Sequence, residues 1–364
     1  PEAGITQSNV IVARHEDART QIDLLTEEAI TRGILRVLEG RPRRVGFLQG
    51  HGEPALGQGG ERGITAWIAD LRGANIQAEE VSLLGQDERL KTLDALLIVH
   101  PQQPFYPSEI AAIRDYLETG GHIGLWLEPA DSTGLEPYLA FHSLRVLPGV
   151  IRDRGRGARA LGLGPWAVPL GLSSSHAVTA GLSVRPVALQ ARPLQIISPH
   201  PMDLIIERLL VTAKLQSDPD DVLQVVTDVA DGAERVLREG RQLVGAALEW
   251  DVPVGEAWDA SSDPAGLPAI RPKARVLVFG DASLVTNRYL GVGGNRALAR
   301  NAVQWLTSQE RLLGELRPPV TASRLRVGEA ELRLLLYVVE FGLPLLLAAL
   351  GLLVWLRRRG GGGL

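Results

Sequence analysis

Residues 93–129 read LDALLIVHPQQPFYPSEIAAIRDYLETGGHIGLWLEP. Leu93–Val99 is apolar apart from Asp94, the pattern of a strand covered on both faces in a parallel sheet. After a Pro-containing loop, Ser108 is placed to cap a helix, and Ile110, Ile113 and Leu117 form its apolar stripe. Gly120-Gly121 supplies the left-handed backbone that ends a helix. Ile123–Leu127 is a second buried strand, closed by Glu128-Pro129. Strand, helix and strand in this order predict an α/β fold with a doubly wound, mostly parallel sheet.

The same alternation extends outward. Val45–Leu48 reads as a short strand followed by the loop Gly50-His51-Gly52-Glu53-Pro54. A helix is expected over Gly63–Leu71 and a strand over Ile76–Leu84. Much later, Arg275–Phe279 returns as a buried strand ending in Gly280-Asp281. A helix from about Arg296 to Thr307 follows, with Leu298, Ala302, Trp305 and Leu306 at helical spacing. This late strand is expected to complete the first sheet. Residues 151–273, with Arg- and Gly-rich loops and short apolar pieces such as Ala188–Ile197 and Leu243–Leu248, then form an irregular β-rich insertion. The expected α/β domain is therefore 41–310. Residues 1–40 precede it, with a short strand over 9–14 and a helix starting near Thr26 that carries Ile30, Ile34, Leu35 and Leu38. Residues 311–333 are a linker.

Leu334–Leu356, LLLYVVEFGLPLLLAALGLLVWL, contains one charge, Glu340. As a helix it is about 35 Å long, enough to cross a bilayer's hydrocarbon core. Tyr337 and Trp355 fall near its ends, where amphipathic rings favour the headgroup layer. A transmembrane helix is expected here. Arg357, Arg358 and Arg359 abut it on one side, and Arg324, Arg326 and Arg333 are spread along the other. The tighter cluster predicts a cytoplasmic tail over 357–364 and an extracytoplasmic body. Glu340 lies too deep to reach water easily, so it is expected to face a partner protein in the membrane. The chain begins at Pro1 without an apolar leader, and is read as missing an N-terminal signal or first span.

Composition removes several classes. The net charge of −4 leaves no basic footprint for nucleic acid. There are no cysteines, hence no disulfide, thiolate metal site or Cys nucleophile. No G-x-x-x-x-G-K-[ST] loop and no G-x-S-x-G elbow occur, so the chain is neither an ATPase of that type nor a hydrolase of that type. No cofactor and no metal are expected.

In an open α/β sheet, ligands bind beyond the carboxyl ends of the strands. Those ends carry His51 and Glu53, His100, Glu128 and Asp131, and Asp281. Five residues are singled out as ligand-binding candidates: His51, Glu53, Glu128, Asp281 and Asn287. Two readings stay open. Histidine and carboxylates at one edge can bind a ligand, or serve a hydrolase or metal-dependent enzyme. Equally, they can cap loops and helix starts, as Asp and Asn commonly do.

Three blocks carry a resemblance: RVGFLQGHGEP (44–54), the stretch 94–129, and RVLVFGDASLVTN with GGNRALARNAVQWL (275–306). With a C-terminal span followed by arginines, the chain resembles the GldG-like auxiliary components of ABC transporters, a family associated with gliding motility in some bacteria. The sheet also resembles amidotransferase-like and flavodoxin-like folds, without the elbow Cys of the amidotransferases. The family resemblance implies an extracytoplasmic α/β domain between two spans, in the bacterial inner membrane. It implies ABC permease and ATPase subunits as partners, besides membrane lipid, and a non-enzymatic role.

Overall fold

The computed structural model describes residues 11–15, 18–22, 30, 42–84, 87–129, 131–153, 164, 166–173, 176–213, 224–228, 235–252, 273–307 and 351. The chain divides into two units, Pro1–Leu316 and Arg317–Leu364, and the fold set out below belongs to the first. Apart from Ile30 and Gly351, the expected helix from Thr26, the linker 311–333 and the span 334–356 with Glu340 lie outside the described residues. Among the described residues, no helix is long and apolar enough to cross a membrane.

The chain opens with a hairpin of β1 (Ile11–His15) and β2 (Ala18–Ile22). The α/β body then runs β3 (Arg43–Leu48), α1 (Thr65–Gly73), β4 (Ile76–Val81), α2 (Asp87–Leu90), β5 (Ala95–Val99), α3 (Pro107–Glu118) and β6 (His122–Trp126). Helix α4 (Glu136–Phe141) leads into strands β7 (Leu144–Val146), β8 (Val150–Asp153), β9 (Ala167–Leu172), β10 (Val187–Leu189), β11 (Leu194–Ile196) and β12 (Leu204–Thr212). β13 (Gln224–Asp228), β14 (Arg235–Glu239) and β15 (Leu243–Asp251) come next. β16 (Lys273–Phe279) and α5 (Asn295–Leu306) close the body.

β4, β3, β5, β6 and β16 stand side by side in that order, all parallel. Numbered along the chain, this is the order 2-1-3-4-5 of a flavodoxin-like sheet, whose direction of winding reverses between β3 and β5. All five residues of β5 are buried. Leu97 and Val99 enter one core with Trp67 and Ile68 of α1 and Leu298 and Ala302 of α5. Leu96 and Ile98 enter the other with Ile113 and Leu117 of α3. Helices thus cover both faces. The cap of helix α3 lies two residues before the expected Ser108: Tyr106 is its N-cap, Pro107 presets the first turn, and Glu109 accepts the Tyr106 N–H at 2.9 Å.

The β-rich stretch expected over 151–273 supplies strands to the main sheet. β15 pairs antiparallel with β16, β12 with β15, β9 with β12 and β10 with β9. The middle of the chain therefore continues the main sheet, which reaches 11 strands among the described residues and is mixed. Val244–Leu248 is buried on both faces, so β15 needs a strand on each side. Within this middle part, among the described residues, β8, β13 and β14 form a three-stranded sheet of their own.

An aromatic seam fills the core under α1 and α5. Phe47 and Trp67 meet edge-on at 5.4 Å, Trp67 and Trp126 at 5.1 Å, and Trp126 stacks on Phe279 at 5.2 Å. Gly124 makes room for it: a Cβ there would lie 2.6 Å from the Trp126 ring and 3.0 Å from Leu306 and Leu97 methyls. Gly124→Ala is therefore expected to lower stability by about 1–3 kcal/mol in urea unfolding. Gly57→Ala, where nothing lies within 4 Å, should change it by less than about 0.5 kcal/mol. Equal losses at both positions would remove the packing explanation.

Candidate functional site

The loops after β3, β5, β6 and β16 meet at the carboxyl edge of the parallel strands. The first two are tied together: Gln102 N–H donates to His51 O at 2.7 Å, and Gln102 Nε2 donates to Gly52 O at 2.6 Å. Gly52 has φ +89°, and a Cβ on it would sit 3.0 Å from Gln102, so both conformation and space call for glycine. His100, at the end of β5, takes φ +50°, unusual for a residue with a side chain.

Between these loops opens a cleft of about 640 Å³. Gly52, Pro54, Gln58, Glu61 and Arg62 from the segment after β3 line it, with Val99, His100, Gln102, Glu128 and Pro129 from the ends of β5 and β6. Ala282, Ser283, Thr286, Arg288 and Tyr289 from the loop after β16 complete it with Val150, Leu189 and Gln190. It lies at the switch point between β3 and β5, where open α/β sheets bind ligands.

The five candidates do not converge. Glu128 is on the cleft. Asp281 is fully buried, accepting the N–H of Leu189 and, at 2.7 Å, that of Ser283. Asn287 holds loops together: its Oδ1 accepts Ala66 N–H at 2.8 Å, and its Nδ2 donates to Gly60 O at 2.7 Å and Thr65 Oγ1 at 3.0 Å. His51 and Glu53 turn into a separate buried cluster. There, His51 Nε2 lies 2.9 Å from Glu109 Oε2, and Nδ1 lies 3.8 Å from Glu53 Oε1. Neither ring nitrogen reaches good hydrogen-bond geometry, and the ring packs edge-on to Phe105 at 4.8 Å. Burial raises the Glu53 carboxyl, against the N–H groups of Glu53 and His51 and the His51 charge. No cluster of metal-ligating side chains occurs among the described residues.

Sequence reasoning misses Arg192, which is 6% exposed. Its Nη1 donates to Glu128 O at 3.2 Å and Asp131 O at 2.6 Å, and its Nε to Leu147 O at 3.3 Å. It braces the loop that carries Glu128. Burial draws its pKa down, countered by the charges of Glu136 and Asp131. Nothing in the local sequence Ala191-Arg192-Pro193 marks a buried arginine. Glu109 is missed too, because an acid in a helix's first turn reads as a cap.

The charges around Glu128 decide its state. Asp131 Oδ2 accepts the Glu128 N–H at 2.7 Å, and Asp131 Oδ1 lies 3.2 Å from His100 Nδ1. Burial, then Asp281 and Asp131, push the Glu128 carboxyl up to about 9, with the N–H groups of Ala282 and Ser283 opposing. Burial also raises Asp281, though its bonds from Ser283 and Leu189 work the other way. Of this acidic pair, Asp281 holds the hydrogen bonds that favour a carboxylate, so Glu128 carries the proton.

A family model described as "ABC-type uncharacterized transport system" matches residues 42–308. The chain belongs to this family of auxiliary components of ABC-type transport systems. Comparison with curated proteins gives no match. Among solved structures, the one named "mmIFT52 N-terminal domain" is 16% identical with a TM-score of 0.49, covering 73% of this chain and 97% of that one. A ThuA-like protein from Bacteroides uniformis is 16% identical with a TM-score of 0.42, covering 73% and 92%. A second ThuA-like protein, from Parabacteroides merdae, is 11% identical with a TM-score of 0.40, covering 74% and 91%.

A carboxyl raised in the folded state favours folding most below its ordinary value of 4.5, and that contribution is lost as pH rises towards about 9. Glu128→Gln should therefore raise the melting temperature at pH 8 more than at pH 5. A gain of the same size at both pH values would mean that Glu128 is not held protonated.

Proposed function

We propose that this auxiliary component is anchored in the bacterial inner membrane by the span 334–356. Its α/β body is extracytoplasmic, and the cleft at the sheet's carboxyl edge binds a partner or cargo without chemical turnover. The observation that carries the reading is the cleft, which combines polar and apolar walls at the switch point of the sheet. Family membership supports service to a transport system. Glu340 is assigned to a contact with the ABC permease within the membrane, since a buried carboxyl there needs a protein surface.

A second reading has one observation in its favour. His100 and Ser283 line the same cleft, and His100 Nδ1 lies 3.2 Å from Asp131 Oδ1, an acid that orients a base. This arrangement supports a membrane-anchored hydrolase. The purified chain separates the two readings: release of p-nitrophenol from p-nitrophenyl acetate, abolished by His100→Asn, would establish the hydrolase and sink the binding role.

Two further outcomes are expected. An alkaline phosphatase fused after residue 330 of the full-length protein should be active, and one fused after residue 359 inactive; the reverse pattern would place the body in the cytoplasm. Glu340→Leu should insert normally but lose co-purification with the permease. Retention of the permease by a correctly inserted variant would reject the contact.

A further inference from the structure

Two depressions on the antiparallel side of the main sheet share Arg241, and neither shares a lining residue with the cleft. One, of about 420 Å³, is lined by Arg208 of β12, Arg238 of β14, and Arg241 and Gln242 from the turn into β15. The other, of about 560 Å³, lies over Gly171 and Leu172 of β9 and is walled by Arg185 and again by Arg241. Arg241 therefore stands between them. Its Nε donates to Thr212 O at 3.4 Å, which fixes the guanidinium and leaves its Nη groups to the depressions. A Cβ at Gly171 would come within 3.6 Å of Nη2, so the guanidinium lies across the bare strand.

All four arginines are exposed, and none of them forms an ion pair among the described residues. No acid lines either depression. Glu207 and Glu239, next to Arg208 and Arg238 along their strands, fall on the opposite faces by strand alternation. Elsewhere arginines find acids: Arg296 grips Asp70 at 2.6 and 2.7 Å, and Arg44 reaches Glu79 at 2.8 Å. The chain holds 42 Asp and Glu against 38 Lys and Arg, so a cluster of unpaired arginines does not follow from composition.

An arginine is always charged, and its planar fork fits two oxygens at once. A concavity lined by one sign of charge focuses its field on an entering ion. A single carboxylate neutralises one of the four cations. A diphosphate carries several negative charges on two linked groups of oxygens, which matches two depressions joined at one arginine. We propose that this groove binds a diphosphate group, with Arg241 bridging its two phosphates, Arg208 and Arg238 holding one and Arg185 the other. The diphosphate belongs to a soluble ester or to a lipid headgroup, and the probes below separate the two sources. The inference is independent of what the cleft binds.

The test is calorimetric titration of the purified full chain in detergent, without divalent cations, using inorganic pyrophosphate, inorganic phosphate and hexaglutamate. Pyrophosphate should saturate one site and bind roughly tenfold more tightly than phosphate. Displacement of pyrophosphate more readily by ADP assigns a soluble ester, and more readily by geranylgeranyl diphosphate a lipid. Arg241→Gln should weaken binding roughly tenfold, and Arg241→Lys, which keeps the charge without the fork, should recover only part of the loss. Arg114→Gln, on α3, should bind as the wild type does. No saturation by pyrophosphate up to roughly 1 mM, or hexaglutamate binding as tightly, would overturn the proposal. So would full affinity in Arg241→Gln with native melting behaviour. Asp218, Asp220 and Asp221 follow β12 in the sequence. With all three changed to Asn, affinity should stay within about threefold of wild type; a gain above roughly tenfold would mean that the chain's own acids fill the groove, and would also overturn it.

Discussion

All five side chains of β5 are buried, so water is excluded from both faces of this strand and its backbone groups must bond to neighbours on each side. β3 and β6 supply those bonds, both in parallel register. Parallel neighbours cannot be joined by tight turns, so each connection crosses a face and brings a helix with it. The two cores, the aromatic seam from Phe47 to Phe279, and the gathering of loops at one edge all follow from that requirement.

Once the loops meet at that edge, electrostatics arranges them. Asp281 is held as a carboxylate by N–H groups from two segments. Burial first, and then this charge and that of Asp131, raise the Glu128 carboxyl. Arg192 brings a positive charge to this group and donates to the carbonyls of the loop that carries Glu128. The cleft floor is thus polar and close to neutral. The His51 cluster is a self-contained group beside it: a ring between two carboxyls, closed over by Phe105 and Tyr106.

The mixed sheet explains how a long chain keeps one body. β15 shields the outer edge of β16, and β12, β9 and β10 extend the same surface. Of the residues lining the cleft, Leu189 and Gln190 come from the end of β10 in this extension, and Val150 comes from β8 of the three-stranded sheet. The family match over 42–308 includes this antiparallel part.

The sequence by itself determined the parallel strands and their helices. A strand buried on both faces must be apolar throughout, and ALLIV at 95–99 can be read without knowing its neighbours. It also determined that acidic and histidine side chains end those strands. Only the tertiary structure decided which of them share a space. Gly50 and Gly52, at φ +129° and +89°, turn the loop after β3 so that His51 and Glu53 face Glu109 while Gly52 and Pro54 face the cleft. Backbone torsions in a loop leave no periodic trace in the residues. The antiparallel extension was hidden for a related reason: β12 pairs with β15 across register shifts near Arg208 and Leu210, and such pairing is set by contacts between segments distant in the chain. Arg192 was hidden because a buried arginine and an exposed one are written with the same letter, and only the three carbonyls around it make burial tolerable.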